Sequence, residues 1–139
     1  MTENKTFTII KPTAVKNNYI GPILAKINEA NFKIIALKYL KMTEEQAKAF
    51  YKVHEERGFY SELVNYMSSG PVVVAILEKD NAVEEYRNFI GATNPADAKE
   101  GSIRKLFGDS LQANAVHGSD SNENAEIEGN FFFSLTERF

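Results

Sequence analysis

Short runs of alternating or continuous apolar residues in this chain are separated by stretches in which apolar positions recur every three to four residues. Thr6 to Lys11 alternates, with Phe7 and Ile9 on one face, and predicts a first strand that Pro12 stops. Gly21-Pro22 opens a helix in which Ile20, Ile23, Leu24 and Ile27 share a face, ending near Ala30 or Asn31. Phe32 to Leu40 reads as a second strand with Ile35, Leu37 and Tyr39 on one face. Thr43 and Gln46 form a capping box, and Ala47, Phe50, Tyr51 and His54 line the inner side of the helix they start. After Arg57-Gly58 a second helix carries Tyr60, Leu63, Val64 and Met67 up to Gly70-Pro71.

Val72 to Leu77 is apolar throughout, as expected of a central strand covered on both faces and the most buried of the set. Asp80 is placed to cap a helix bearing Val83, Tyr86, Phe89 and Ile90 and ended by Gly91. From Ala92 to Ala113 regular pattern fades except around Ser102 to Phe107, and a loop this long inside a compact domain is usually functional. A helix from about Ser121 to Gly129, capped by Asp120, and a last strand over Phe131 to Leu135 complete the chain. The order predicts an α+β domain on the ferredoxin-like βαββαβ plan, a four-stranded antiparallel sheet with helices on one face and a long loop before the last helix and strand. With no linker or low-complexity tract, residues 1–139 read as a single domain.

Composition narrows the class. At 43% hydrophobic and 25% charged residues the chain is globular, with ten Phe and six Tyr to build a core. There is no Cys, which fits a reducing compartment, and the N-terminal MTENKTFTIIKP has no signal-peptide pattern, so a cytoplasmic protein is expected. No apolar run is long enough for a membrane span. The 16 Lys and Arg are scattered and the net charge is -3, which disfavours bulk nucleic-acid binding but leaves room for a polyphosphate site built from a few placed cations.

Candidate chemistry centres on Asn114 to Ser121, NAVHGSDS, where His117 sits at an expected junction of strand and helix. The eight glycines form neither GxGxxG nor GxxxxGK[ST], which excludes the dinucleotide and P-loop fingerprints. Two histidines and no cysteines leave little for a zinc-type site. Arg57-Gly58-Phe59-Tyr60 imitates an RNA-recognition signature, but Tyr60 stands where Gly or Ala is wanted and the segment leads into a helix. An RNA module and a small-molecule regulatory domain remain as competing classes.

With its surroundings, NAVHGSDS resembles the active-site signature of the nucleoside diphosphate kinases. The likeness runs from about Thr6 to Phe133 through TFTIIKP, Phe50-Tyr51, SGPVVV at Ser69 to Val74 and GATNPADA at Gly91 to Ala98. It implies transfer of the γ-phosphoryl group of a nucleoside triphosphate, typically ATP, to a nucleoside diphosphate through a phosphohistidine. It also implies a Mg2+ requirement met through the nucleotide phosphates, with no protein ligand, and a homo-oligomer, tetramer or hexamer. On this resemblance His117 is the nucleophile and attacks through Nδ1, and Glu128, eleven residues on, holds Nε2-H with help from Ser119. Lys11 reaches the transferred phosphoryl and the sugar hydroxyls, Arg87 and Arg104 hold the β- and γ-phosphates, and Thr93 reaches the β-phosphate. Tyr51 offers its phenol near His117, Asn114 serves the ribose, and Phe59, Leu63 and Leu111 grip the base by stacking and apolar contact, which implies low base selectivity. His54 is read as packing support. Where many relatives have Lys-Pro-Gly this chain reads Lys99-Glu100-Gly101, which removes a rigidifying residue from a loop that makes subunit contacts.

Overall fold

A computed structural model describes residues 4–139. Its strands are β1 (Lys5–Ile10), β2 (Lys33–Leu40), β3 (Val72–Glu78) and β4 (Val116–Gly118), and its helices are α1 (Pro12–Lys16), α2 (Ile20–Glu29), α3 (Glu44–Phe50), α4 (Tyr60–Met67), α5 (Ala82–Ile90), α6 (Ile103–Phe107) and α7 (Asn122–Phe132). The strands form one antiparallel sheet in the order β2-β3-β1-β4, the spatial order that a βαββαβ chain produces. β3 lies in the middle with Val72 to Leu77 all buried, each Val, Ile and Leu among them contributing about 1.5–3 kcal/mol of transfer free energy if fully removed from water.

Local signals account for most boundaries. Thr43 Oγ1 accepts from the Gln46 amide at 3.0 Å while Gln46 Oε1 accepts from the Thr43 amide at 2.9 Å, the reciprocal cap expected for α3. Pro12 stops β1 and at once starts α1, because its fixed φ and missing N–H suit the first helical position; Lys11 is the residue capping that helix. Ser102 caps α6 through the Lys105 amide.

Several expectations are corrected. The fourth strand is not Phe131 to Leu135: α7 continues through Phe132, and Leu135–Glu137 is a 3-10 turn. A run of three Phe is apolar under either period, so alternation could not choose, and the helix wins because Gly129 lets it lie against β3; a Cβ there would stand 3.2 Å from Ile76 Cδ1. The sheet is completed instead by β4, three residues long, ahead of the last helix. Helices cover both faces: α2 and α5 pack on one around Ile23, Ile27, Tyr86 and Ile90, while α3, α4 and α7 cover the other around Phe7, Ala47, Val64 and Met67. β2 has a bulge between Ile34 and Ala36, so Ile35 and Ala36 are both buried while Leu37 and Tyr39 are 50% and 66% exposed, not inward with Ile35. Asn81, in the left-handed region with φ 54°, caps α5 in place of Asp80. Ser121 caps α7 through the Asn124 amide at 3.0 Å, and Asp120 binds the Asn124 side chain instead. Among the described residues no helix is long and apolar enough to cross a membrane.

Candidate active site

His117 lies in the middle of β4, opposite Ile9 of β1. Two residues before it Ala115 adopts φ 75°, a left-handed conformation that L-residues with a Cβ rarely take, and the chain turns there from the long loop into the sheet. The imidazole stands between aromatic walls, its centroid 6.0 Å from the Phe7 ring and 5.9 Å from the Phe50 ring, the latter nearly perpendicular at 77°. Its Nε2 is 2.9 Å from Glu128 Oε1, and Ser119 Oγ donates to the same oxygen at 2.6 Å. An ionised carboxylate only accepts, so this contact puts the ring proton on Nε2 and leaves the lone pair on Nδ1. Glu128 reaches His117 from the second half of α7, whose N-terminus begins just after β4.

Three of the cations that line the same cleft stand in different settings. Lys11 is buried, with Nζ donating to Asn114 Oδ1 at 2.7 Å and the Gln112 carbonyl at 3.2 Å. Both partners are neutral. Burial, aided by the nearby Arg104 charge, pushes the Lys11 ammonium down to about 7 from its ordinary value of 10.5. Arg104, on α6, donates from Nη1 to the Gly91 carbonyl at 3.0 Å and from Nη2 to the Val116 carbonyl at 2.9 Å, tying the end of α5 to β4. Its Nε is buried without a partner among the described residues. Burial lowers its pKa to about 10, against the opposing influence of Tyr86. Arg87 is exposed on α5 and faces the cleft.

Asn114 is buried, and besides accepting from Lys11 it donates through Nδ2 to the Thr93 carbonyl at 2.9 Å. One amide hydrogen is left for a ligand. Tyr51 is buried on the α3 side of the cleft; burial first, then the Glu128 charge, raises its pKa, so the phenol stays neutral and can donate. The cleft measures about 1100 Å³. At its open end Phe59 and Leu111 are 44% and 62% exposed, with Leu63 between solvent and core and the His54 ring 5.6 Å from Phe59.

Of the twelve residues nominated from the sequence, eleven line this one cleft and Ser119 lies behind it against Glu128. Sequence reasoning missed the Phe7 and Phe50 walls, the Gln112 carbonyl and the Gly91 and Val116 carbonyls that anchor Arg104. Phe7 carried a signal, its place on the inward face of β1, but main-chain acceptors have none. No group of three or more His, Cys, Asp or Glu that could hold a metal ion occurs among the described residues.

The sequence matches the family description "Nucleoside diphosphate kinase" over residues 4–138. It is 58% identical over 139 residues to a nucleoside diphosphate kinase of Flavobacterium psychrophilum, covering 100% of both chains, and 56% identical to that of Chlorobaculum parvum over 96% of this chain and 95% of that one. The fold superposes on the Aquifex aeolicus nucleoside diphosphate kinase with a TM-score of 0.95 at 43% identity, covering 98% and 99% of the two chains. The Halobacterium salinarum nucleoside diphosphate kinase in complex with CDP gives 0.93 at 33% identity, covering 99% of this chain and 91% of that one. The chain therefore belongs to the nucleoside diphosphate kinase family, enzymes that transfer phosphate between nucleoside triphosphates and diphosphates.

Proposed function

We propose that this chain, as one domain over residues 1–139, moves the γ-phosphoryl group of a nucleoside triphosphate, typically ATP, to a nucleoside diphosphate in two steps through a phosphohistidine on His117. The observation that carries the reading is the Nε2 contact to Glu128 at 2.9 Å, reinforced by Ser119, because it aims an unprotonated Nδ1 into the cleft. The Nδ1 lone pair attacks the γ-phosphorus, the bond from phosphorus to the β,γ-bridging oxygen breaks, and the diphosphate leaves with that electron pair. A second diphosphate reverses the step, its terminal oxygen taking the phosphoryl group and returning the pair to Nδ1. Glu128 offsets the positive charge on the ring while it carries phosphate.

Arg104 and Arg87 would hold the β- and γ-phosphates, Lys11 the moving phosphoryl and the sugar hydroxyls, Thr93 the β-phosphate and Asn114 the ribose. Tyr51 donates toward the phosphoryl group from beside His117. The family generally uses a divalent metal. With no carboxylate cluster to hold one among the described residues, Mg2+ fits as an ion carried by the nucleotide phosphates and water, where it neutralises phosphate charge. Phe59, Leu63 and Leu111 offer only ring face and aliphatic surface, a grip that any base satisfies.

The same reading makes the protein cytoplasmic, in keeping with a chain without Cys, and free of nucleic-acid and membrane partners. It also makes it a homo-oligomer, tetramer or hexamer: β2 is an edge strand with exposed Leu37 and Tyr39, a surface that a second copy would cover. The test is to incubate the protein with γ-labelled ATP and Mg2+. Acid-labile, base-stable label that unlabelled diphosphate removes is expected, and none on His117→Ala; an unlabelled wild type, or full labelling of the variant, overturns the mechanism.

A further inference from the structure

The carbonyl oxygen of His117 accepts a hydrogen bond at 2.7 Å from Thr8 Oγ1, and Thr8 Oγ1 lies 2.7 Å from the phenol oxygen of Tyr86. A carbonyl cannot donate, so the single Thr8 proton points at His117 and the Tyr86 hydroxyl must donate to Thr8. The pair is sealed, with Thr8 and Tyr86 respectively 1% and 0% exposed, and burial raises the Tyr86 pKa so that the phenol remains a donor. The same ring also presses on the main chain next to the nucleophile. A Cβ on Gly118 would stand 3.2 Å from Tyr86 Cδ2 and 3.0 Å from Ile90 Cδ1, so the glycine lets α5 approach this closely without displacing either side chain.

These contacts join two carriers of chemistry. Tyr86 precedes Arg87 on α5, and α5 ends at Gly91, whose carbonyl Arg104 holds. β4 carries His117 and is a three-residue edge strand that, among the described residues, pairs with β1 alone, too short to fix its own height against the helix. The geometry points to Tyr86, acting through Thr8, as a positioning residue that sets the distance between the phosphate-holding end of α5 and the His117 nucleophile. It touches no substrate. Its action is on the rate of phosphoryl transfer and not on nucleotide affinity, because the bonds from Arg104 to Gly91 and Val116 and from Asn114 to the Thr93 carbonyl do not involve the Tyr86 hydroxyl.

This inference rests on the phosphohistidine reading, and its test separates the two. Rapid-quench measurement of phosphohistidine formation from labelled ATP is paired with calorimetric ADP affinity and melting temperature for the wild type, Tyr86→Phe, Thr8→Val, Thr8→Ser and the double variant Tyr86→Phe/Thr8→Val. Tyr86→Phe and Thr8→Val are each expected to slow labelling by about tenfold, the scale of a sub-ångström misplacement, with ADP affinity within twofold of wild type. Thr8→Ser, which keeps the hydroxyl, restores the rate, and the double variant is no slower than either single one because both remove the same chain of bonds. A wild type that takes no label overturns the phosphohistidine reading and this inference with it. A labelled wild type with Tyr86→Phe at full rate, losses in ADP affinity equal to the loss in rate, no rescue by Thr8→Ser, or an additive double variant would each leave the reading intact and remove the positioning role.

Discussion

The two ends of the cleft are built on opposite principles. Around His117 the polar groups are tied down: Glu128 receives two donors on one oxygen, Lys11 has two acceptors, Asn114 joins Lys11 to the Thr93 carbonyl, and Arg104 spans two main-chain carbonyls. At the other end Phe59 and Leu111 are exposed apolar surface with no polar side chain bonded to them. Preorganised dipoles in a buried setting need not reorganise as charge moves, so the first end suits chemistry. The second can only offer contact area. The proposed reaction needs the first to be exact in position and asks of the second only that it hold a base.

The largest effect should come from uncoupling the inner end. Glu128→Ala leaves Nε2 without its acceptor and Ser119 without a partner, and is expected to reduce kcat by about a hundredfold, the usual scale for a group that sets protonation in a transfer step, with KM near that of wild type in steady-state assays. A loss confined to KM would place Glu128 with the outer end. Phe59→Ala should then raise KM by about tenfold, on the scale of one base-aromatic stack, equally for purine and pyrimidine nucleotides and with kcat preserved. A change that discriminates between bases would show that the outer end reads identity.

The smallest effect concerns the buried ammonium and appears as pH-dependent stability. Lys11 holds its proton only up to about pH 7 when folded and up to about 10.5 when unfolded. Below about 7 both states are protonated and the folded state bears the whole cost of burying the charge; between about 7 and 10.5 only the unfolded chain keeps the proton, so that cost is relieved as pH rises. Thermal melts of wild type and Lys11→Met should therefore differ most below pH 7, where the variant gains by a few degrees relative to its position at pH 9.5. A difference that is flat across that range would mean that the folded protein holds Lys11 in an environment as polar as water.

Legibility from the sequence divided along similar lines. β3 and the α3 capping box were readable because a continuous apolar run and an S/T-x-x-Q pattern each have one structural outcome. β4 was not, since three residues carry no period, and Phe131 to Phe133 misled because three apolar residues in a row fit either period. The bulge at Ile34 to Ala36 reversed the facing of Leu37 and Tyr39 without leaving a mark in the pattern. In the cleft, the residue types that bear charge or rings were identified through the resemblance carried by NAVHGSDS and its companion segments. What could not be read was how they are held: the carbonyls of Gln112, Gly91 and Val116 have no side-chain identity, and the Thr8–Tyr86 pair joins residues 78 positions apart.

The pairing of β4 with β1 has a consequence for how the chain acquires its chemistry. Thr8 bonds to a carbonyl 109 positions away, and Ser119 pairs with the Phe7 main chain across 112. Closing so long a loop costs chain entropy before the contacts it forms can offset that cost. His117, Glu128 and the buried Lys11 are thus brought together only when the two ends of the chain meet. A chain that stops short of Glu128 lacks the acceptor for His117 Nε2, however well its β1-β3-β2 sheet has formed.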